Sequence, residues 1–474
     1  MSFTTALVLV DGVQVVVPDS LDLITPYVLR EQQDWFEDEI KFLRRLLQPG
    51  EKVIDIGANY GVYALSMART VGPRGCVWAF EPASTTAQLL SEGISINGYS
   101  QIILERSALS SSCGVAQLSL NDNSELNALI RDKPSTSASE TVPLVTLDEC
   151  LQRHGWHEME FMKIDAEGEE ANILKGGTRF FSELSPLVQY EIKAGADLHM
   201  DLVEDFAALG YESYRLVPGL DLLVPFDCES TPDGYLLNLF CCKQDRAEQL
   251  ARQGFLINSV TRLPTKETES SKNISEKIKN SNAYDWRQTI GKLPYGARLA
   301  DVWGQTMAIG SNAEVDEALS FYALSQDSSQ SSIERFSALD ASFGLLDELC
   351  KRQPAHLRLA SLARVARDYG ARSLAVNALK RLRNVIYRNR RVDVSEPFLA
   401  PGERFDSVPP GEAVGNWVLA SVLEEYERLG AFSSFYTGIA ARPRLEAIRD
   451  LGFGSAEIER RLGLLYQRFG LTTS

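Results

Sequence analysis

Apolar positions fall into two rhythms along the chain, one in each half. In the first half, short apolar runs end in a polar or glycine-rich turn and are followed by patterns of helical period. Val53-Ile54-Asp55-Ile56 leads into Gly57-Ala58-Asn59-Tyr60-Gly61, and Val62-Tyr63 opens a helix. Cys76-Val77-Trp78-Ala79-Phe80 ends at Glu81-Pro82, with a helix predicted over Thr86–Ile96. Ile102 to Ala108, Val115 to Leu120, Thr141 to Leu147, Phe161 to Asp165, Leu187 to Ile192, Tyr211 to Val217, Leu222 to Val224 and Tyr235 to Cys242 read as further strands. Near-continuous apolar runs are expected where both faces of a sheet are covered, and strands alternating with helices predict an α/β, doubly wound sheet. Two strands precede it around Asp11-Gly12, a hairpin signal. Trp35, Phe36, Ile40, Phe42, Leu43, Leu46 and Leu47 then recur at helical spacing up to Pro49-Gly50.

The second half changes rhythm. Apolar periodicity is lost over 258–283, where Thr265 to Lys272 and Lys277 to Asn282 are polar. Beyond Trp286 the period is helical, with segments at 314–324, 333–352, 355–369, 371–388, 412–429 and 455–468. The expected organisation is an α/β domain over 1–255, a polar linker over 256–284 and an all-α helical domain over 285–474. Leu362-Ala363, Gly370, Ala375 and Ala378 resemble half of a tetratricopeptide-type helix pair, without an array. The stretch 391–410, with Pro397, Pro401, Pro409 and Pro410, reads as a loop.

Composition narrows the function. At 474 residues the chain is too long for one core. Its formal net charge of −16 repels phosphate backbones, so nucleic acid is not the expected partner. Seven cysteines without metal-ligand spacing fit a reducing, cytoplasmic location. Asp11-Gly12 interrupts the apolar start and no basic flank precedes it, so no signal peptide is expected. No apolar stretch is long enough for a membrane span.

The chemistry sits where strands end. Gly57 and Gly61 are expected to leave room for a ligand against the backbone, and the helix after them to attract an anionic group. Glu81 ends the next strand, at the distance where an acid accepts hydrogen bonds from ribose hydroxyls. Phe161-Met162-Lys163-Ile164-Asp165 and Ala166-Glu167-Gly168-Glu169-Glu170 repeat the strand, acid, turn and helix. Asp165, Glu167 and Glu191 fall at the carboxyl ends of strands facing one crevice. Lys163 lies two residues before Asp165, on the same strand face. Glu169 and Glu170 read as acids stabilising a helix N-terminus. Carboxylates at Asp165 and Glu191, with nearby Asn side chains, could bind Mg²⁺ or Ca²⁺ through oxygen. No ligand-spaced cluster demands it, and no metal is assigned. Of the four histidines, His199 is the candidate base.

These motifs resemble the FkbM-type family of S-adenosylmethionine-dependent methyltransferases. The resemblance rests on Val53 to Tyr63, Phe80-Glu81-Pro82, Val145 to Glu149, Met162 to Glu170 and Leu174 to Gly177, and covers roughly 30–245. It implies a Rossmann-like fold, S-adenosylmethionine as cofactor and an alcohol oxygen as acceptor, on a sugar, glycan, glycolipid or natural product. It places Asp55, Gly57, Ala58, Asn59, Gly61, Glu81, Ser107 and Asp165 around the cofactor. Asp165, Glu167, Lys163 and Glu191 become the candidate catalytic groups. Two other readings are an N-methyltransferase acting on protein or nucleic acid, and a non-catalytic scaffold. The C-terminal helices are open to a homo-oligomer contact, a protein partner or the shaping of an acceptor site.

Overall fold

The computed structural model describes residues 3–130, 138–194, 197–258, 284–308, 313–353 and 356–471. Contacts divide the chain into two compact units. The first is Met1–Leu216, Leu223–Ser230 and Leu236–Phe255; the second is Val217–Leu222, Thr231–Tyr235 and Leu256–Ser474. Both the polar stretch 259–283 and the Ser/Thr-rich loop 131–137 lie outside the described residues.

The first unit begins with an antiparallel hairpin, β1 (Thr4–Val8) and β2 (Gln14–Pro18), paired Thr4 to Pro18 and Val8 to Gln14. The connection is longer than a two-residue Asp-Gly turn. Leu9 N–H bonds to Val13 O, and Asp11 accepts from Val13 N–H. Helices α1 (Ile24–Gln32) and α2 (Asp38–Leu46) follow. Trp35 and Phe36 precede α2 instead of joining it, and α1 was not read from the sequence. Its Pro26 and short length hide it.

Then come β3 (Lys52–Ile56), α3 (Val62–Val71), β4 (Cys76–Phe80), α4 (Ser84–Asn97), β5 (Ile102–Glu105), β6 (Ala108–Leu109), β7 (Gly114–Ser119) and β8 (Ser139–Val145). After them lie α5 (Leu147–His154), β9 (Phe161–Ile164), α6 (Glu170–Lys175), α7 (Thr178–Glu183), β10 (Leu187–Glu191), β11 (Lys193–Ala194) and β12 (Asp197–Leu198). The unit closes with α8 (Asp201–Ala208), β13 (Glu212–Val217), β14 (Leu222–Pro225), β15 (Asn238–Cys242) and α9 (Gln244–Gln253). The main sheet has eight strands in the order β14-β13-β15-β10-β9-β3-β4-β5. β10, β9, β3, β4 and β5 are parallel, and β15 runs antiparallel to both of its neighbours, β10 and β13. The expected third strand is split: β5 belongs to the main sheet, while β6 pairs with β8 in a separate three-stranded sheet.

Chain order reverses between β3 and β9. From β3 it grows through β4 to β5, and on the other side from β9 to β10. Open α/β sheets place ligands in the crevice at such a point, beyond the carboxyl ends of the strands. Leu147, assigned above to a strand, instead begins α5, because Thr146 accepts a hydrogen bond from Glu149 N–H and caps it.

The second unit is helical. Helices Ala313–Ser325, Ser332–Arg352, His356–Tyr369, Arg372–Asn389, Val414–Gly430 and Ala456–Arg468 fall where the period placed them. Pro294–Ala308 and Arg442–Ile448 were not separately read. The stretch 391–410 holds one short helix, Arg404–Ser407. Its acids pair with buried arginines: Arg358 with Glu396 at 2.8 Å and Arg364 with Asp406 at 3.1 Å. Among the described residues, no helix is long and apolar enough to cross a membrane.

Candidate functional site

The turn after β3 is held by its own backbone. Gly57 and Ala58 N–H groups both bond to Phe80 O, Asn59 N–H to Glu81 Oε2, Tyr60 N–H to Asn59 Oδ1 and Gly61 N–H to Ala58 O. Five consecutive donors, from Gly57 to Gly61, are thus used inside the fold, and the remaining donors at this point belong to the first turn of α3. The glycines also answer to packing. A Cβ on Gly57, at φ +77°, would lie 1.8 Å from Asp165 O; one on Gly61, at φ +88°, would lie 2.3 Å from Leu90 Cδ1. Asn59 adopts φ +49°, a left-handed conformation that Asn tolerates. Its Oδ1 accepts from Ser124 Oγ at 2.9 Å. The loop of Ser124 is fixed from the other side as well, because Ile24 N–H bonds to Asn123 Oδ1 at 2.9 Å.

A polar row crosses the otherwise apolar sheet. Asp55 on β3 is the register partner of Lys163 on β9, and Lys163 that of Gln189 on β10. Their exposures are 1%, 5% and 0%. No side chain hydrogen-bonds to either carboxylate oxygen of Asp55, toward which the Ala64 N–H of α3 is the one backbone donor that acts, and Gln189 Oε1 has no partner among the described residues. A buried acid without side-chain partners is costly. Burial pushes Asp55 up to about 6, with Lys163 opposing the rise and Asp165 adding to it. Lys163 Nζ bonds to Asp165 Oδ2 at 2.6 Å and stands 4.8 Å from the centre of the Tyr63 ring. Burial works to lower the Lys163 pKa, but Asp165, Asp55 and Glu37 outweigh it and keep the ammonium charged.

Two residues further along the same strand faces stand Asp165 and Glu191. Glu167 joins them from the turn after β9. Each of the three places a carboxylate oxygen within 4.8 Å of the others. That spacing would also suit an oxygen-ligated cation, which the sequence reading left out. Burial first, then repulsion from Asp165, raises Glu167 to about 7 and Glu191 to about 9. Glu167 has φ +47° and the next residue, Gly168, φ +94°. A glutamate in that region is strained, and such strain gathers at functional sites. Glu170 holds this turn, accepting from Ala166 N–H at 3.0 Å. Glu169 accepts from Ser110 Oγ at 3.0 Å and Asn172 Nδ2 at 3.1 Å.

Glu81, at the end of β4, is 7% exposed. Its oxygens accept from Asn59 and Ala83 N–H groups, both at 2.8 Å. Burial raises it to about 7 against those two bonds. Ser107 is buried and its hydroxyl has no partner. His199 N–H bonds to Ile192 O, and among the described residues no contact ties its ring to the three carboxylates.

Sequence reasoning missed the wall in front of α2. Tyr63 hydroxyl donates to Glu37, and Gln189 Nε2 to the Tyr63 hydroxyl at 3.4 Å. Burial raises Glu37 and takes Glu39 up to about 8. Asn238, the register partner of Glu191, is 6% exposed and its Nδ2 is unpartnered. Glu37, Asp38 and Glu39 stand at the start of α2, where acids are common, and were not singled out in the sequence. The available signal was Gln189, a polar residue inside the apolar run Leu187 to Tyr190.

Residues 55–213 match the family model described as the methyltransferase FkbM domain. A hexuronic acid methyltransferase, AglP, of Haloferax volcanii is 30% identical over 161 residues, covering 34% of this chain and 64% of the relative. Methyltransferase sdnD of Sordaria araneosa is 28% identical over 154 residues, covering 26% of this chain and 59% of the relative. The chain therefore spans about three-fifths of the length of these curated relatives. An rRNA methylase structure from Streptococcus thermophilus overlaps with a TM-score of 0.25 at 12% identity, covering 43% of this chain and 93% of that one. An overlap of that size says nothing of the reaction.

Proposed function

We propose that the FkbM-type methyltransferase domain at 55–213 transfers a methyl group from S-adenosylmethionine to a hydroxyl of a sugar or glycan. The observation that carries the reading is the convergence of Asp165, Glu167 and Glu191 at the strand ends next to the Asp55 and Glu81 turn. When bound, the cofactor supplies an electrophilic methyl carbon on a cationic sulfur. The residues fit it: the two oxygens of Asp55, without side-chain partners, suit its ammonium, Glu81 its ribose hydroxyls and the Ser107 hydroxyl its adenine end. Gly57, Ala58, Asn59 and Gly61 would border its methionine part.

Methyl transfer needs attack geometry and a place for one proton. The acceptor oxygen bonds to the methyl carbon, the carbon–sulfur bond breaks, and the hydroxyl proton passes to a carboxylate. Glu167, raised to about 7, is poised as a base near neutral pH, and Glu191, raised to about 9, takes that part only in more alkaline solution. Lys163 stays charged, which makes it an anchor for Asp165 and not a base.

Charge also bears on the acceptor. Glu37, Asp55, Asp165, Glu167 and Glu191 share one buried cation, Lys163, and Glu39 adds its charge beside Glu37. Such a wall favours an uncharged sugar over a uronate, although the AglP relative is named for a hexuronic acid. The test is calorimetry with S-adenosylmethionine on the intact chain, followed by labelled methyl transfer to a panel of neutral and uronic glycosides. Cofactor binding with transfer to neutral glycosides is expected. No binding and no transfer would sink the enzymatic reading.

A further inference from the structure

The helix Arg372–Asn389 buries Ala375, Ala378, Leu379, Leu382 and Ile386. At 100° per residue these lie on one side. Asn377, Lys380, Arg381, Asn384, Tyr387 and Arg388 fall in the opposite arc, and Arg391 continues it just past the helix end. Lys380, Arg381, Arg388 and Arg391 are exposed and form no ion pair among the described residues; Tyr387 is 54% exposed. From Arg372 to Val392 the chain has no carboxylate. Asp393 follows, and it accepts from Ser395 N–H.

This is unusual for a chain of net charge −16. Some exposed cations of the helical unit do find acids, Arg352 pairing with Glu314 and Lys351 with Asp347, both at 2.8 Å, while Lys292 and Arg298 stand singly elsewhere in that unit. Favourable interaction with the helix dipole accounts for Arg388 in the last turn, but not for Lys380 and Arg381 more than a turn earlier.

We propose that this stripe docks the protein peripherally on an anionic phospholipid surface. The face of a single helix is convex and has no groove to enclose a strand, whereas a plane of phosphates meets it along its length. Arginine binds phosphate through a planar fork. A tyrosine beside the cations is placed as aromatic rings are at the headgroup level. The inference is independent of the reaction proposed above, because it uses only residues of the helical unit.

The test is flotation of the full chain with phosphatidylcholine vesicles, with and without roughly a third phosphatidylglycerol. Each basic residue near an anionic surface contributes about fivefold in partitioning. Wild type should bind the anionic vesicles, and not the neutral ones, in a salt-sensitive manner. The triple variant Arg381→Gln, Arg388→Gln, Arg391→Gln should partition about 100-fold less. The corresponding triple Lys variant should stay within a few-fold of wild type, which separates lost charge from a damaged helix. Failure of wild type to float with anionic vesicles overturns the proposal, as does unchanged partitioning of the Gln variant. Capture of a single-stranded oligonucleotide by these residues, with vesicles ignored, would also overturn it.

Discussion

Replacing Asp55 with Asn should stabilise the protein while weakening its hold on S-adenosylmethionine. The carboxylate is 1% exposed and both oxygens lack side-chain partners. Its pKa rises from the ordinary 3.8 to about 6 on folding. A group raised in this way favours the folded state below the unfolded value, and that advantage is lost as pH climbs through the folded value. At 1.36 kcal/mol per unit, keeping Asp55 ionised at pH 8 costs about 3 kcal/mol. Asn removes the charge but leaves a buried amide with unmet hydrogen bonds, so a net gain of about 1–2 kcal/mol is expected. For a domain of this size each kcal/mol moves Tm by about 2–4 °C. The gain should appear at pH 8 and vanish below about pH 3, where Asp55 is protonated in both states. In the same variant the cofactor's Kd should rise at least about tenfold, the usual scale for losing a hydrogen bond to a charged group. Thermal unfolding of ligand-free protein across pH, and calorimetry at pH 8, measure the two effects. A variant less stable than wild type at pH 8, or one that binds the cofactor equally well, would refute the reasoning.

In alkaline solution, Glu191→Gln should lower turnover by about 10²–10⁴ with cofactor affinity retained, as loss of a general base does; wild-type turnover would remove Glu191 from that role. Wild-type activity should rise between about pH 7 and 9, because Glu167 and Glu191 accept a proton only when ionised. A flat profile would count against both. Lys163→Met leaves Asp165, Asp55 and Glu37 without their buried cation and should destabilise by about 3–5 kcal/mol at pH 8, less at pH 5, as read by denaturant unfolding. Gly57→Ala drives a Cβ into the Asp165 carbonyl and should abolish soluble expression. Gly168→Ala meets open space and should cost only about 1–2 kcal/mol of left-handed strain.

The sheet was legible because its strands are apolar on both faces. Val53 to Ile56, Cys76 to Phe80 and Phe161 to Ile164 have no other stable place to go. The site acids were legible for the same reason: an Asp or Glu ending such a run has to face a crevice. What stayed hidden depends on register. Asp55 lies over a hundred residues before Lys163 and Gln189 in sequence, and only strand pairing makes the three one row. The Glu37 wall was hidden because its acids sit at a helix start, where acids are common for another reason. Gly57 and Gly61 were noticed correctly but explained incompletely, since their closest neighbours are Asp165 and Leu90 and are distant in sequence.

The link from Asn59 to Ser124 ties two histories together. Substrate range in an enzyme family usually drifts by exchanging loops while the shared machinery stays fixed. Here the loop of Ser124 hydrogen-bonds to the very turn that follows β3, and on its far side it is pinned to Ile24. A lineage that swapped this loop for another would also remove one of the hydrogen bonds that hold Asn59 in its left-handed bend. On the reaction proposed above, single substitutions at Glu37, Glu39 and Asn238 would change the wall beside Glu191 without disturbing that link, whereas a graft at 121–127 would break it.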